Sequence, residues 1–160
     1  MTTRNPIDTM KNSYSSTSGN AVVFTNGAAI VAGDLDLADK INLVFVPAGT
    51  LVDEVKVKHA DLDTGGTAMA FNLGFAHVDG SAATTNETAD ATARSLTPAT
   101  LLAAAATTWT GTAAVTTYEL FPPFKVEKDS WLQAVLTTAV TTIAAGSVYA
   151  KVRGEALGAV

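Results

Sequence analysis

The chain contains no cysteine, which excludes disulfide frameworks, iron–sulfur clusters and thiolate zinc sites. Charged side chains are also scarce, at 16% of the 160 residues against about 25% in typical domains. The few charges that are present sum to −5. A protein with this balance is poorly suited to bind phosphate, so nucleic acid is not an expected partner.

Long apolar runs are absent as well. The best run, AVVFTNGAAIVAG, is interrupted by Thr25-Asn26-Gly27 and falls short of the ~20 residues that a membrane span needs. The first residues, MTTRNPIDTMKN, lack the apolar core of a signal peptide. We therefore expect a product made in the cytoplasm, with no membrane partner.

Small residues take the place of charged ones. The chain has 29 alanines and 24 threonines, about a third of its length. A surface of small, uncharged side chains suits a protein whose surface is covered by neighbouring subunits. The alternative from composition alone is a β-protein that is simply rich in small residues.

The sequence divides into two parts. Residues 1–20 are polar and show neither a period of 2 nor a period of 3.6, so we predict an N-terminal arm that is extended or becomes ordered on a partner. The alternative is a frayed terminus without a role. Residues 21–160 are predicted to form one β-sandwich domain.

Most of this domain shows the alternation typical of β-strands. Asn26-Gly27 between apolar runs predicts a hairpin turn. Residues 41–46 are apolar on both faces, which predicts a buried strand that Pro47 ends. In the next two segments the residues predicted to face the core are Val55, Val57, His59, Met69, Phe71, Leu73 and Phe75.

The second half adds further strands and one helix. Thr97 and Pro98 have the character of an N-cap and a first helical residue, which predicts a short helix over 98–106. Pro122-Pro123 is expected to end the strand YELF, and two more strands are predicted in SWLQAVLTTA and SVYAKVRGEAL. The predicted fold is all-β, a jelly-roll-like antiparallel β-sandwich with one short helix.

The segment DLDTGG, residues 61–66, has two interpretations. As a hairpin connection it pairs Val57 with Phe71, and Asp63 caps its own loop. As a metal loop it lacks the third acidic position and the distant glutamate of an EF-hand. Two acidic turns, Asp34/Asp36 and Asp61/Asp63, remain candidates for a shared calcium ion.

No arrangement of residues indicates a catalytic, cofactor-binding or metal-binding site. His59 and His77 are predicted to lie far apart, and no nucleophile elbow, phosphate loop or zinc-binding helix motif occurs. We therefore expect no enzyme and no cofactor. The aromatic residues leave a carbohydrate-binding module as an alternative. Its candidate residues are Trp109, Tyr118 and Trp131, the last of which is expected to lie in the core.

Residues 34–78 carry a resemblance to a known family. The segments INLVFVPAGTLVDEVKV and DLDTGGTAMAFNLG, and more faintly the closing hairpin WLQAVLTTA to AAGSVYAKV, resemble capsid decoration (cement) proteins of tailed bacteriophages. The shared pattern is scaffold chemistry and includes no catalytic motif.

The resemblance implies a structural virion protein that is made in the host cytoplasm and binds the outer surface of the phage head. It further implies a homotrimer that stabilises the head by bridging major capsid protein subunits. Within the same virion, a head-fibre or tail-associated protein is the competing interpretation. Residues 1–20 and the polar loop at 79–95 are the expected contact segments.

Overall fold

The computed structural model describes residues 3–4, 12–15, 21–33, 35–63, 69–81, 107–108, 113–138 and 142–156. These residues form β-strands, turns and loops, and none of them forms a helix long and apolar enough to cross a membrane. The helix predicted at 98–106 and most of the polar loop at 79–95 lie outside the described residues.

Ten strands occur in the described residues. They are β1 (Thr3–Arg4), β2 (Asn12–Ser15), β3 (Ala21–Ile30), β4 (Lys40–Val46), β5 (Thr50–His59), β6 (Ala70–His77), β7 (Thr107–Thr108), β8 (Ala114–Lys125), β9 (Ser130–Thr138) and β10 (Gly146–Ala156). They form two five-stranded sheets. Sheet A has the order β1-β4-β9-β6-β7, and sheet B has the order β2-β3-β10-β5-β8.

The eight strands from β3 onward have jelly-roll topology. Successive strands cross between the sheets, except that β6 and β7 are neighbours in sheet A. All described pairings are antiparallel apart from β1 with β4, which is parallel. Two nested Greek keys of this kind define a jelly roll, so the predicted fold class is confirmed.

The inner faces of the two sheets form one hydrophobic core. The alternation predicted for β5 and β6 is confirmed, because every residue assigned to the core is at most 3% exposed. In strand β4, inward-facing and outward-facing side chains do not alternate regularly. A register irregularity between Asn42 and Val44 turns both Leu43 and Val44 inward and leaves Phe45 half-buried on the outer face.

The predicted hairpin between β5 and β6 is wrong. Val57 pairs with Ala150 and Thr116 in sheet B, whereas Phe71 pairs with Leu136 in sheet A. Both inner faces of a sandwich are apolar, so strands of opposite sheets show the same alternation as the two strands of a hairpin. The predicted closing hairpin fails for the same reason, since β9 lies in sheet A and β10 in sheet B.

Asn26 and Gly27 do not form the predicted turn and lie inside β3. The register with β10 runs without interruption from Ala21 to Ile30. A Cβ atom on Gly27 would lie 2.3 Å from the backbone oxygen of Val148 and 2.6 Å from Cδ1 of Tyr149. Glycine is therefore present at this position because another backbone and a side chain approach closely.

Pro122 and Pro123 do not end β8, which continues to Lys125. The strand lies at the edge of sheet B, and its register with β5 is irregular there, with Glu54 opposite Glu119 and Val52 opposite Phe124. An edge strand and an irregular register are the two settings in which a sheet tolerates proline.

The described parts of residues 1–20 extend both sheets. Strand β1 pairs with β4 at one edge of sheet A, and β2 pairs with β3 at the edge of sheet B. An edge strand that gains a partner no longer presents free backbone groups to other chains. The boundary between an arm of residues 1–20 and a domain of residues 21–160 stays a prediction.

Candidate interaction surfaces

The outer face of sheet B carries its side chains in rows that run across three strands. Each row takes one residue from β8, one from β5 and one from β10, in the observed register. The first row is Val115, Lys58 and Tyr149. The second is Thr117, Lys56 and Lys151, and the third is Glu119, Glu54 and Arg153. The face is therefore basic and apolar toward one end and acidic toward the other.

Ion pairs concentrate at the acidic end of this face. Nε of Arg153 donates to both carboxylate oxygens of Asp53, at 3.1 and 3.3 Å. Oε2 of Glu54 lies 3.9 Å from Nη1 of Arg153 and 3.6 Å from Nζ of Lys56. The hydrogen bonds to Asp53 are the main cause that raises the pKa of Arg153 above its ordinary value.

The outer face of sheet A contains a buried pair of amide side chains. Asn42 on β4 lies directly opposite Gln133 on β9, and Nε2 of Gln133 donates to Oδ1 of Asn42 at 2.7 Å. Both residues are at most 6% exposed. Oε1 of Gln133 is buried and has no hydrogen-bond partner among the described residues. The central polar side chains of this face are therefore neutral and buried.

An aromatic pair lies beside the amides. Phe45 and Trp131 are opposite each other on β4 and β9, with ring centroids 5.5 Å apart and planes at 75°. Trp131 is half-buried on the outer face, so its predicted place in the core is wrong. The physical reason is that its neighbour Leu132 takes the inward position.

The three aromatic candidates for sugar binding are not brought together. Tyr118 on β8 packs partly against the core from sheet B, whereas Trp131 lies on the far side of sheet A. Trp109 lies outside the described residues. The edge-on contact with Phe45 also differs from a flat aromatic platform.

The two histidines are both buried and lie in different sheets. His59 on β5 donates from Nδ1 to the backbone oxygen of Ala60 at 2.9 Å. Nδ1 of His77, at the end of β6, shares a hydrogen bond of 2.9 Å with Oγ of Ser81. Their predicted separation assumed a hairpin between β5 and β6, which does not form. The two histidines are nevertheless separated, because β5 belongs to sheet B and β6 to sheet A.

In both acidic turns a carboxylate accepts a backbone hydrogen bond. Oδ1 of Asp61 accepts from the backbone N–H of Asp63 at 3.2 Å, and the loop that Asp63 is predicted to cap lies outside the described residues. Oδ2 of Asp39 accepts from the backbone N–H of Asp36 at 3.1 Å, and Asp39 is 1% exposed. Asp34 and residues 64–68 lie outside the described part. In that part no group of three or more metal-binding side chains occurs.

Asp79 follows β6 and forms a small polar cluster. Its Oδ1 accepts from the backbone N–H of Ser81 at 2.8 Å, and its Oδ2 lies 3.4 Å from Nζ of Lys128. Hydrogen bonds from Ser81, and to a lesser extent the charge of Lys128, lower the pKa of Asp79 from 3.8 to about 2.

Two solved structures have chains similar to this one. In the structure of the cyanophage Pam1 capsid asymmetric unit, a chain matches with a TM-score of 0.54 and 19% identity, over 93% of this chain and 94% of that one. In the capsid of Ralstonia phage GP4, a chain matches with a TM-score of 0.61 and 19% identity, over 92% and 90%. No protein-family model matches the chain, and no curated protein sequence does.

At 19% identity these likenesses establish the fold. The match extends over nearly the whole of each chain, so the shared feature is the complete two-sheet arrangement. Both structures are phage capsids, in agreement with the resemblance that the sequence indicates.

Several residues on the outer faces were not identified from the sequence. The core-facing assignment of Val55, Val57 and His59 places Lys56 and Lys58 on the outer face of β5. The sequence does not identify their neighbours Tyr149 and Lys151. A signal existed in β10, where Ser147, Tyr149, Lys151, Arg153 and Glu155 alternate with apolar or small residues. The missing information was which strand lies beside β5.

Proposed function

We propose that the chain is a structural virion protein that binds the outer surface of a tailed-phage head and stabilises it by bridging subunits of the major capsid protein. The observation that carries the proposal is the likeness to chains of two phage capsids over at least 90% of every chain compared. The sequence resemblance to decoration proteins supports the same role.

The surface chemistry also supports an assembled state. Only 16% of residues are charged, and the outer face of sheet A contains buried neutral amides and half-buried aromatic rings. A homotrimer at a threefold position of the head would close the assembly through cyclic symmetry. Many copies, each linked to several neighbours, would gain avidity from individually weak contacts.

The test is to locate the protein in intact particles. Gold or fluorescent labelling, followed by electron microscopy, is expected to show many evenly spaced copies on the head. A few copies at one vertex would instead indicate a tail-associated or head-fibre protein. Analytical ultracentrifugation of the purified protein tests the homotrimer separately, through a mass three times that of the chain.

The arm has its own test. Deletion of residues 2–18 is expected to leave the sandwich folded, because the described part of the arm contributes only short strands at the sheet edges. We expect reduced occupancy on heads at equal protein concentration, measured by quantitative gel analysis of purified particles. Full occupancy by the truncated protein would refute a role of the arm in binding.

An enzymatic role is not part of the proposal. Glycan-array binding that is lost in Trp109→Ala would support the carbohydrate-binding alternative. Turnover of a glycoside or an ester, abolished by a single carboxylate substitution, would support an enzyme.

A further inference from the structure

The first two rows on the outer face of sheet B form what we call the basic patch: Val115, Lys58, Tyr149, Lys56 and Lys151. Lys58 lies between Val115 and Tyr149 in one row, and Lys56 lies directly opposite Lys151 in the next. Three lysines thus lie on two adjacent strands within two rows of one another. This concentration is unusual in a chain whose net charge is −5.

The lysines of the basic patch are poorly compensated. Directly opposite residues have Cα atoms about 4.5–5.5 Å apart, and like charges in such pairs are destabilising. Nζ of Lys56 lies 3.6 Å from Oε2 of Glu54. Lys58 and Lys151 form no ion pair with the described residues. Lys58 and Lys151 therefore retain positive charge that no carboxylate of the described residues neutralises.

The apolar members of the patch are exposed and one of them is held in place. Val115 is 63% exposed and Tyr149 is 48% exposed. A Cβ atom on Gly27 would lie 2.6 Å from Cδ1 of Tyr149, so the tyrosine ring lies against the bare backbone of β3. An aromatic ring with restricted motion loses little conformational entropy when it becomes part of an interface.

We propose that the basic patch is a docking surface for an acidic segment of a partner protein. Building on the proposed function, this segment belongs to the phage shell. Charge complementarity supplies orientation and association rate, while Tyr149 and Val115 supply apolar contact area. In the adjacent row, the exposed carboxylate of Glu119 on β8 limits the length of an anionic partner that the face accepts.

A protein partner fits this surface better than a nucleic acid. A phosphate backbone that extended beyond the two basic rows would meet the exposed carboxylate of Glu119. The net charge of −5 would repel it at longer range. An acidic peptide can end or turn within the patch, and its apolar side chains can contact Tyr149 and Val115.

The first experiment measures binding of a fluorescein-labelled peptide of alternating Glu and Leu residues, by fluorescence anisotropy at low and at physiological salt. Lys58→Glu/Lys151→Glu is expected to weaken binding by about tenfold or more and to flatten the salt dependence. Tyr149→Ala is expected to weaken binding while the salt dependence stays unchanged.

The matched control is Lys40→Glu/Lys128→Glu, which changes the net charge equally at positions outside sheet B. It is expected to bind the peptide about as well as the unmodified protein. Equal weakening by both double variants, or tighter binding of a single-stranded oligonucleotide of the same charge, would overturn the proposal. Far-ultraviolet circular dichroism and thermal melts establish that each variant is folded.

The second experiment measures occupancy of the same variants on phage heads that lack the protein. Loss of occupancy with Lys58→Glu/Lys151→Glu, but not with the control, supports both the docking surface and the proposed function. Full occupancy by Lys58→Glu/Lys151→Glu refutes the docking surface and leaves the function intact. Peptide binding that depends on the patch, without any binding of the unmodified protein to heads, supports the surface and refutes the function.

Discussion

The outer faces of the two sheets differ in how far their polar side chains are exposed to water. On sheet B, the charged side chains of Lys58, Lys151 and Arg153 lie at or near the surface. On sheet A, the amides of Asn42 and Gln133 are buried, in contact with each other. A charge that keeps its water costs little, whereas a buried amide must find hydrogen bonds within the protein. Substitutions on the two faces should therefore have different energies and different responses to salt.

The largest effect is expected from Gly27→Val, on sheet B. Its Cβ atom would lie 2.3 Å from the backbone oxygen of Val148, so β3 and β10 must separate. We expect a loss of about 3 kcal/mol in the free energy of unfolding, measured by urea denaturation. Thr25→Val on the same face of β3 is the control, with an expected change below about 0.5 kcal/mol. Similar losses in both variants would show that the close approach at Gly27 is not what matters.

The amide pair of sheet A comes next. Asn42→Leu removes the described partner of Nε2 of Gln133. Neither polar atom of this buried side chain then has a hydrogen-bond partner among the described residues, and we expect a cost of about 2 kcal/mol. Gln133→Met removes the hydrogen bond together with Oε1, which has no partner among the described residues. Asn42 loses this donor but has a further interaction, so the net effect should stay within about 1 kcal/mol. Equal costs in chemical denaturation would contradict this asymmetry.

The sequence indicates which face of each strand is buried, but it gives much less information about which strands pair with one another. The inward positions of β5 and β6 follow from alternation, since each strand must bury one face whichever sheet it joins. Alternation contains no information about the neighbouring strand, and so Val57 and Phe71 were paired across what are two different sheets. The contact segments around residues 79–95 remain a prediction.

Local turn signals failed where tertiary contacts decided the outcome. Asn26-Gly27 is a strong hairpin signal in isolation, yet Gly27 is needed where Tyr149 crosses β3. Pro122-Pro123 normally ends a strand, yet an edge position lets β8 continue. The basic patch could not be found from sequence for the same reason, because Lys56 and Lys151 are 95 positions apart and become neighbours only through the β5–β10 register.

A smaller effect is expected from the aromatic pair on sheet A. Phe45 and Trp131 meet edge to face, a geometry that adds about 1 kcal/mol beyond the area that it buries. A double-mutant cycle with Phe45→Leu and Trp131→Leu should give a coupling energy of that size in urea denaturation. A coupling below about 0.3 kcal/mol would mean that the rings contribute only through burial.

On sheet B, the exposed ion pair of Arg153 with Asp53 should contribute still less. Asp53→Asn is expected to cost about 0.5 kcal/mol at low salt and nothing measurable at high salt, since both side chains are at least 38% exposed. Glu155→Gln removes the same charge from an exposed position nearby and is the control. A cost that persists at high salt would indicate that Asp53 contributes by more than its charge.

The smallest effect concerns Asp79 and is visible only as a dependence on pH. Its pKa in the folded protein is about 2, below the ordinary 3.8, so its contribution to stability is present above about pH 4 and is lost as the pH falls toward 2. The melting temperatures of the unmodified protein and of Asp79→Asn should therefore converge over that interval.

Lys128→Gln provides the internal comparison for this effect. Hydrogen bonds from Ser81 are the larger cause of the lowered pKa, and they remain in Lys128→Gln. Melting temperatures measured from pH 5 to pH 2 should therefore show a smaller change in pH dependence for Lys128→Gln than for Asp79→Asn. If Lys128→Gln abolished the pH dependence completely, the charge of Lys128 rather than the hydrogen bonds from Ser81 would control the pKa of Asp79.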